Sequence, residues 1–362
     1  MCENSILCVL MELPNVLPLA LGLSIFSFSI TSVLIIPFID FLYKMKLLRR
    51  REGAVKGKKA SLFDKLHDVK AGTPIGGGIL IILVVTILFA ILLPSISKLG
   101  VYISSLFPLR PQLLVIFFTF LSFGLLGLLD DLTKIFGKPK AGELGAVFGL
   151  SSKHKFIIQW VLGLSVGTML YTLLGVDFLH IPFFDTAIYL GPLYVPFAAF
   201  VIVFFANAFN FTDGLDGLAS GLLMIYLFAY VIIAVDNLDT PLFIFISLWL
   251  GSIIAFLYFN VWPARIFLGD AGSLAFGAMI AVIGLIIGNV ATLFVIGGIF
   301  VIEAASSVLQ ILSYKLFKRK LFPLAPIHHT FLFIGWEEPK IVMRAWLAGI
   351  ILAIFGLWLA II

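Results

Sequence analysis

Two carboxylates and two carboxamides crowd a short stretch of an otherwise oily chain, in Asn207-Ala-Phe-Asn210-Phe-Thr-Asp213-Gly-Leu-Asp216-Gly217. Ionisable groups beside apolar spans are costly, and they persist where a cation or a reaction uses them. A metal ion and a phosphorylated substrate are therefore the first ligands to weigh. Asp213 and Asp216 are three apart and share a face if the segment is helical. Each also precedes a glycine, and Asp-Gly pairs are favoured turn formers, so plain turn chemistry is the alternative.

Three further motifs carry acids or imidazoles. Asp130-Asp131 close the apolar run Phe123–Leu129. A helix C-terminus disfavours each carboxylate by about 0.3–1 kcal/mol, so a solvated end competes with one neutralised by Lys134 at i+4 or by a divalent metal. Asp270, in Phe267-Leu-Gly-Asp270-Ala-Gly-Ser273, is placed to N-cap a helix, and a helix N-terminus with small residues also binds phosphate. Asn260 and Arg265 lie in the same loop. His328-His329 have no third histidine nearby, which disfavours tetrahedral zinc and suits contacts to phosphate. Glu303 lies inside an apolar run: a functional group by default, or a carboxylate bonded to Ser306, Ser307 or a neighbouring helix. Gly72-Thr-Pro-Ile-Gly76-Gly77-Gly78 follows Lys70 and permits close approach of backbone to a ligand or of helix to helix. Oxygen donors without a Cys or His cage suit Mg²⁺, and carboxylates beside lysines suit phosphoryl transfer.

The elements that position these groups follow from composition. The chain has 362 residues, 62% hydrophobic and 12% charged, which is membrane rather than soluble composition. A spanning helix needs roughly 20 apolar residues. Ten such runs are expected, near 16–42, 75–97, 111–129, 155–175, 192–209, 218–235, 241–259, 273–289, 291–314 and 341–361. The expected fold is an all-α polytopic membrane protein forming one domain over 1–362, with no nucleic-acid partner. Segment 176–191 carries β-formers and a Gly-Pro, as a short hairpin would. Cys2 and Cys8 offer no disulfide framework, and the acidic N-terminus is wrong for a signal peptide. Of 24 Lys and Arg, all but Lys98 and Arg110 fall in the odd-to-even loops. The positive-inside rule then puts those loops in the cytoplasm, with both termini and the hairpin outside.

With that topology, Asp130, Asp131, Asp213, Asp216, Asp270 and the histidine pair all reach the cytoplasmic face. The motif around Asn207–Ala219, together with Asp130-Asp131 and Gly269-Asp270-Ala-Gly-Ser273, resembles the polyprenyl-phosphate N-acetylhexosamine-1-phosphate transferases. Pro326-Ile-His328-His329, Gly335-Trp336-Glu-Glu-Pro339 and Arg344-Ala-Trp346 are similar to the phospho-N-acetylmuramoyl-pentapeptide branch of that family. The resemblance implies a multi-pass homodimer in the bacterial cytoplasmic (inner) membrane, with its active site on the cytoplasmic face. It implies transfer of phospho-MurNAc-pentapeptide from UDP-MurNAc-pentapeptide to undecaprenyl phosphate, giving lipid I and UMP with Mg²⁺ as cofactor. It makes Asp270 the metal ligand, Asp130 the base with Asp131 beside it, and His328 and His329 active-site groups. Asn207, Asn210, Asp213, Asp216, Asn260 and Glu303 would line the cleft, with Lys70 and Lys134 near the phosphates. Thr330 stands where the family carries a third histidine, which leaves open a sister enzyme using a UDP-N-acetylhexosamine without peptide. An ion-coupled transporter is the rival from another class.

Overall fold

The computed structural model describes residues 6–49, 70–98, 103–137, 151–181 and 186–361. Cys2 and the basic run over 50–69 lie outside the described residues. Helices dominate: α1 (Ile6–Lys44), α2 (Gly77–Lys98), α3 (Leu109–Phe136), α4 (Ser152–Leu173), α5 (Tyr194–Thr212) and α6 (Leu218–Asp236) come first. There follow α7 (Thr240–Asn260), α8 (Gly269–Ile287), α9 (Val290–Ile296), α10 (Gly298–Phe317), α11 (Ile327–Phe333) and α12 (Glu338–Ile361). All but α9 and α11 are long and apolar enough to cross a membrane, which gives the ten spans expected. The hairpin is present between α4 and α5, β1 (Phe178–Ile181) pairing antiparallel with β2 (Thr186–Tyr189) and Phe178 opposite Tyr189.

Three boundaries differ from the sequence reading in ways that matter. The third span does not end at Asp130-Asp131; α3 continues to Phe136, so both acids sit within its last two turns. The eighth begins at Gly269 rather than 273, and its N-cap is Leu268, so Asp270 is a residue of the first turn and not the cap. The ninth is broken at Gly297 into α9 and α10. A Cβ at Gly297 would lie 2.8 Å from the Phe205 ring and 2.9 Å from the Leu293 carbonyl, so a side chain there would not fit the bend.

α7 and α8 form the centre. Phe120, Phe245, Trp249 and Phe276 interlock there, with ring centroids 5.1–5.9 Å apart from Trp249 to each of the others. Among lipid tails, which are as apolar as leucine, helices associate through small residues and hydroxyls. Accordingly α1 and α7 meet through Ser24, Ser27, Thr31 and Ser252, with Ser27 Oγ 2.7 Å from Ser252 Oγ. A Cβ on Gly251 would lie 2.0 Å from the Ser24 carbonyl oxygen. At the end that carries β1 and β2, Asp239 caps α7 by accepting from Leu242 N–H (3.0 Å), and it accepts from Gln112 Nε2 at 2.7 Å. The other end gathers the C-termini of α1, α3, α5, α7 and α10 and the N-termini of α2, α4, α6, α8 and α12. All the described acids and imidazoles of interest meet there, among the lysines.

Candidate active site

The site is built on the N-terminus of α8. Its first N–H groups need an acceptor from outside the helix, and Asp131 of α3 supplies it. Asp131 Oδ1 accepts from Asp270 N–H and Oδ2 from Ala271 N–H, each at 3.0 Å. A carboxylate at the positive end of a helix is favourable, and these charge-assisted bonds fix α8 against α3. The contact requires two glycines. A Cβ on Gly127 would fall 2.0 Å from the Asp270 carbonyl oxygen, and Gly269, at φ +77°, has Asp131 Oδ2 where its Cβ would be.

Segment 70–78 steadies the same helix start from the other side. Gly76 and Gly77 N–H groups donate to the Phe267 carbonyl, and Gly78 N–H donates to that of Leu268. A Cβ on Gly78 would come within 2.2 Å of Gly272 Cα. Those amides are occupied, so this glycine run packs elements together and does not cradle a ligand.

So held, Asp270 meets a cluster of alternating charge. Lys134 and Lys155 each place Nζ 2.6 Å from Asp270 Oδ2, and they reach Asp130 Oδ2 at 3.0 and 2.9 Å. Asn210 donates to Asp270 Oδ1 (3.1 Å) and to Ser273 Oγ (2.7 Å). Asp130 is almost completely buried. A buried carboxylate whose partner is removed leaves an uncompensated charge, so the four ionic groups stand or fall together. No sequence motif singles out Lys155; its place beside Asp270 comes from α4 packing back against α3.

Asp213 and Asp216 do not share a helix face. α5 ends at Thr212 and α6 begins at Leu218, so both lie in the intervening turn and diverge. Asp216 accepts from Lys70 Nζ (2.6 Å) and from Ala264 N–H (2.9 Å). Lys70 also reaches Glu338 Oε1 at 2.5 Å, and that oxygen accepts from Asp216 N–H. Glu338, which the sequence reading missed, thereby ties the start of α12 to the turn. Burial, and then the negative charge of Asp270, hold the Asp213 carboxyl well above the usual carboxylate range, against the pull of Arg49.

The asparagines divide. Asn210 touches Asp270, whereas Asn260 accepts from Gly217 N–H (3.2 Å) and Ser220 Oγ (2.6 Å) and donates to the Ile266 carbonyl (2.9 Å). Asn207 donates to Gln159 Oε1 (2.8 Å) and to its own helix. Asn260 and Asn207 are therefore engaged in structure. Of the structural alternatives for Glu303, the neighbouring-helix one is found and the serine one is not: Ser306 and Ser307 bond its backbone carbonyl, and its carboxylate lies 2.9 Å from His328 Nδ1 on α11. His328 and His329 are buried with ring centroids 4.2 Å apart. Thr330 turns its hydroxyl away, onto the Leu324 carbonyl.

No group of three Asp, Glu, His or Cys among the described residues forms a ready-made metal cage. Mg²⁺ does not require one, since it takes one or two carboxylates, water and substrate phosphates. Asp270 and Asp130 fit that demand, being carboxylates that meet at one spot through shared lysines.

The glycosyl transferase family 4 model matches residues 113–288, the stretch from α3 to the end of α8 that carries the cluster. The phospho-N-acetylmuramoyl-pentapeptide-transferase of Bacillus pumilus is 34% identical over 331 residues, 91% of this chain and 94% of its own length. Enzymes of the same name from a Geobacillus species and from Staphylococcus aureus are 35% and 37% identical, over 92% and 82% of this chain and 96% and 87% of theirs. This chain belongs to the phospho-N-acetylmuramoyl-pentapeptide transferase family. It is a polytopic membrane transferase, and the transporter reading is set aside. The acids support that outcome physically, because they converge at one end of the transferase bundle and not at its middle, where transporters bind their ions.

Proposed function

We propose that the protein transfers phospho-MurNAc-pentapeptide from UDP-MurNAc-pentapeptide to undecaprenyl phosphate, yielding lipid I and UMP, at the cytoplasmic face of the bacterial inner membrane. The observation that carries the proposal is the convergence of Lys134 and Lys155 on Asp130 and Asp270 at the N-terminus of α8. Attack of one phosphate on a diphosphate brings anions together, and positioning plus charge neutralisation supplies most of the catalysis. The ammonium groups of Lys134 and Lys155 supply that neutralisation here. Bound Mg²⁺ would add Lewis-acid stabilisation of the diphosphate, held by Asp270 with Asp130 at hand.

In this reading an oxygen of undecaprenyl phosphate attacks the sugar-bearing phosphorus. The bond from that phosphorus to the bridging oxygen breaks, and UMP leaves with the electron pair. Asp130 takes the proton of the lipid phosphate as Lys134 and Lys155 turn to the phosphates. Asp131 holds α8 in place, and Lys70, Asp213 and Asp216 face the nucleotide.

Purified protein given UDP-MurNAc-pentapeptide, undecaprenyl phosphate and Mg²⁺ should release UMP, and a chelator should stop it. Absence of UMP from folded protein would overturn the proposal. A second reading is favoured by Thr330, which removes an imidazole from the histidine loop: a donor without peptide. Faster release from UDP-N-acetylglucosamine than from the peptide donor would select it.

A further inference from the structure

The turn between α5 and α6 carries Asp213 and Asp216, yet much of its shape is imposed from outside. Within it, Gly214 N–H donates to the Thr212 carbonyl (2.8 Å) and Leu218 N–H to that of Leu215 (3.1 Å). The polar groups at its end are met by side chains of other segments. Asp216 N–H donates to Glu338 Oε1 (2.6 Å), Gly217 N–H donates to Asn260 Oδ1 (3.2 Å), and the Gly217 carbonyl accepts from Trp346 Nε1 (3.1 Å). Gly217, at φ +78°, is the N-cap of α6 and has no side chain with which to cap it. Two of the three outside bonds come from α12, which contributes nothing to the cluster around Asp270.

Glu338 and Trp346 stand about 12 Å apart along α12, yet they hold adjacent residues of the turn. Helical side chains lean toward the N-terminus, so the indole comes back toward the residue beside the one that Glu338 holds. A slot on α6 receives it. A Cβ on Gly221 would fall 2.1–2.3 Å from three atoms of the indole, and one on Gly217 would touch it at 3.6 Å. The Gly217 carbonyl already accepts from Gly221 N–H (3.0 Å), so the indole N–H takes its second lone pair. That bond is not needed to satisfy the carbonyl; it fixes where the peptide unit points. We propose that Trp346 is a positioning residue which, with Glu338, locks the 213–217 turn in the conformation that receives the nucleotide of the sugar donor, without touching the donor. The proposal rests on the transferase reading, in which Lys70, Asp213 and Asp216 face the nucleotide. Asp130, Lys134, Lys155 and Asp270 are carried by α3, α4 and α8. Losing the indole bond therefore lowers the share of molecules whose turn is ready for the nucleotide, and apparent affinity falls by that share while the reacting groups keep their places.

The test uses the full-length protein in lipid bilayers. Trp346→Phe keeps a ring in the slot and removes the N–H. KM for UDP-MurNAc-pentapeptide should rise about fivefold, the value of one net hydrogen bond, and the inhibition constant of UMP should rise by the same factor. KM for undecaprenyl phosphate and kcat should stay close to wild type. Glu338→Ala should show the same split, with Glu338→Gln recovering part of it because the amide oxygen still accepts from Asp216 N–H. Gly221→Ala pushes the indole from its slot and should raise the donor KM likewise, which keeps the test open if Trp346→Phe does not fold. An unchanged donor KM in Trp346→Phe or Gly221→Ala, or an equal change in the acceptor KM or in kcat, would overturn the proposal. Failure of the transferase reading is seen separately, as wild type that releases no UMP from either donor.

Discussion

Gly127→Ala tests whether the α3–α8 contact builds the site. The added methyl would stand 2.0 Å from the Asp270 carbonyl oxygen, 2.3 Å from its carbon and 2.5 Å from Ala271 N. All three are backbone atoms and cannot rotate away, and ordinary contact begins at 3.4 Å. The helices must therefore part by about 1.4 Å at this point, an overpacking that costs about 1–3 kcal/mol. The same movement stretches both 3.0 Å bonds from Asp131 to the start of α8 and shifts Asp270 relative to Lys134 and Asp130. A misplacement of about 1 Å is worth on the order of a hundredfold in rate. UMP release should fall by about that factor, with Tm lowered by several degrees. Gly22→Ala is the control: nothing lies within 4 Å of its Cβ, and alanine in a helix is about 1 kcal/mol better than glycine. Full activity in Gly127→Ala would refute the claim that this contact positions the acids.

Other outcomes follow from the same geometry. Lys155→Met leaves Asp130 and Asp270 with one ammonium instead of two and should lower UMP release at least about a hundredfold, with Lys155→Arg recovering part of it. Asp131→Asn turns an N–H₂ toward a backbone N–H, and thermal unfolding should show about 1–2 kcal/mol lost together with activity. Asp213 has a raised carboxyl pKa in the folded state, so its stabilising effect is full below the unfolded value and is lost as pH rises through the folded one. Measured without added Mg²⁺, wild-type Tm should therefore fall with rising pH relative to Asp213→Asn. Parallel pH curves for the two proteins would contradict that sign.

The spans were legible because the bilayer imposes a minimum apolar length, and the hairpin because its β-formers sit between two such runs. Although turn chemistry for Asp213 and an N-cap for Asp270 were open alternatives, the acids were legible by type and by their meeting at one face. Their partners were not. Lys155 sits 24 residues beyond Asp131, just after a lysine-bearing loop, and only the return of α4 against α3 distinguishes it from the other lysines. Glu338 read as one acid of a polar motif, yet it joins α12 to Lys70. Asp131 and Asp270 looked alike in sequence, but one faces backbone N–H groups and the other faces lysines. Nor could periodicity place the break at Gly297, because α9 and α10 are both apolar and only packing against Phe205 reveals the bend.

The placement of α8 has a consequence for how the enzyme lives in lipid. In its apolar stretch and that of α7, 89% of the residues are buried, whereas for α10 the share is 22% and for α1, α4 and α12 it is 28%. Acyl chains touch the outer helices and scarcely reach the two inner ones. A bilayer thicker or thinner than the protein's apolar belt is accommodated by tilting of helices in contact with it. That strain falls on the rim. The helix that carries Asp270 is sheathed by its own chain, like an axle inside a hub, and keeps its depth and angle while the surrounding membrane changes thickness.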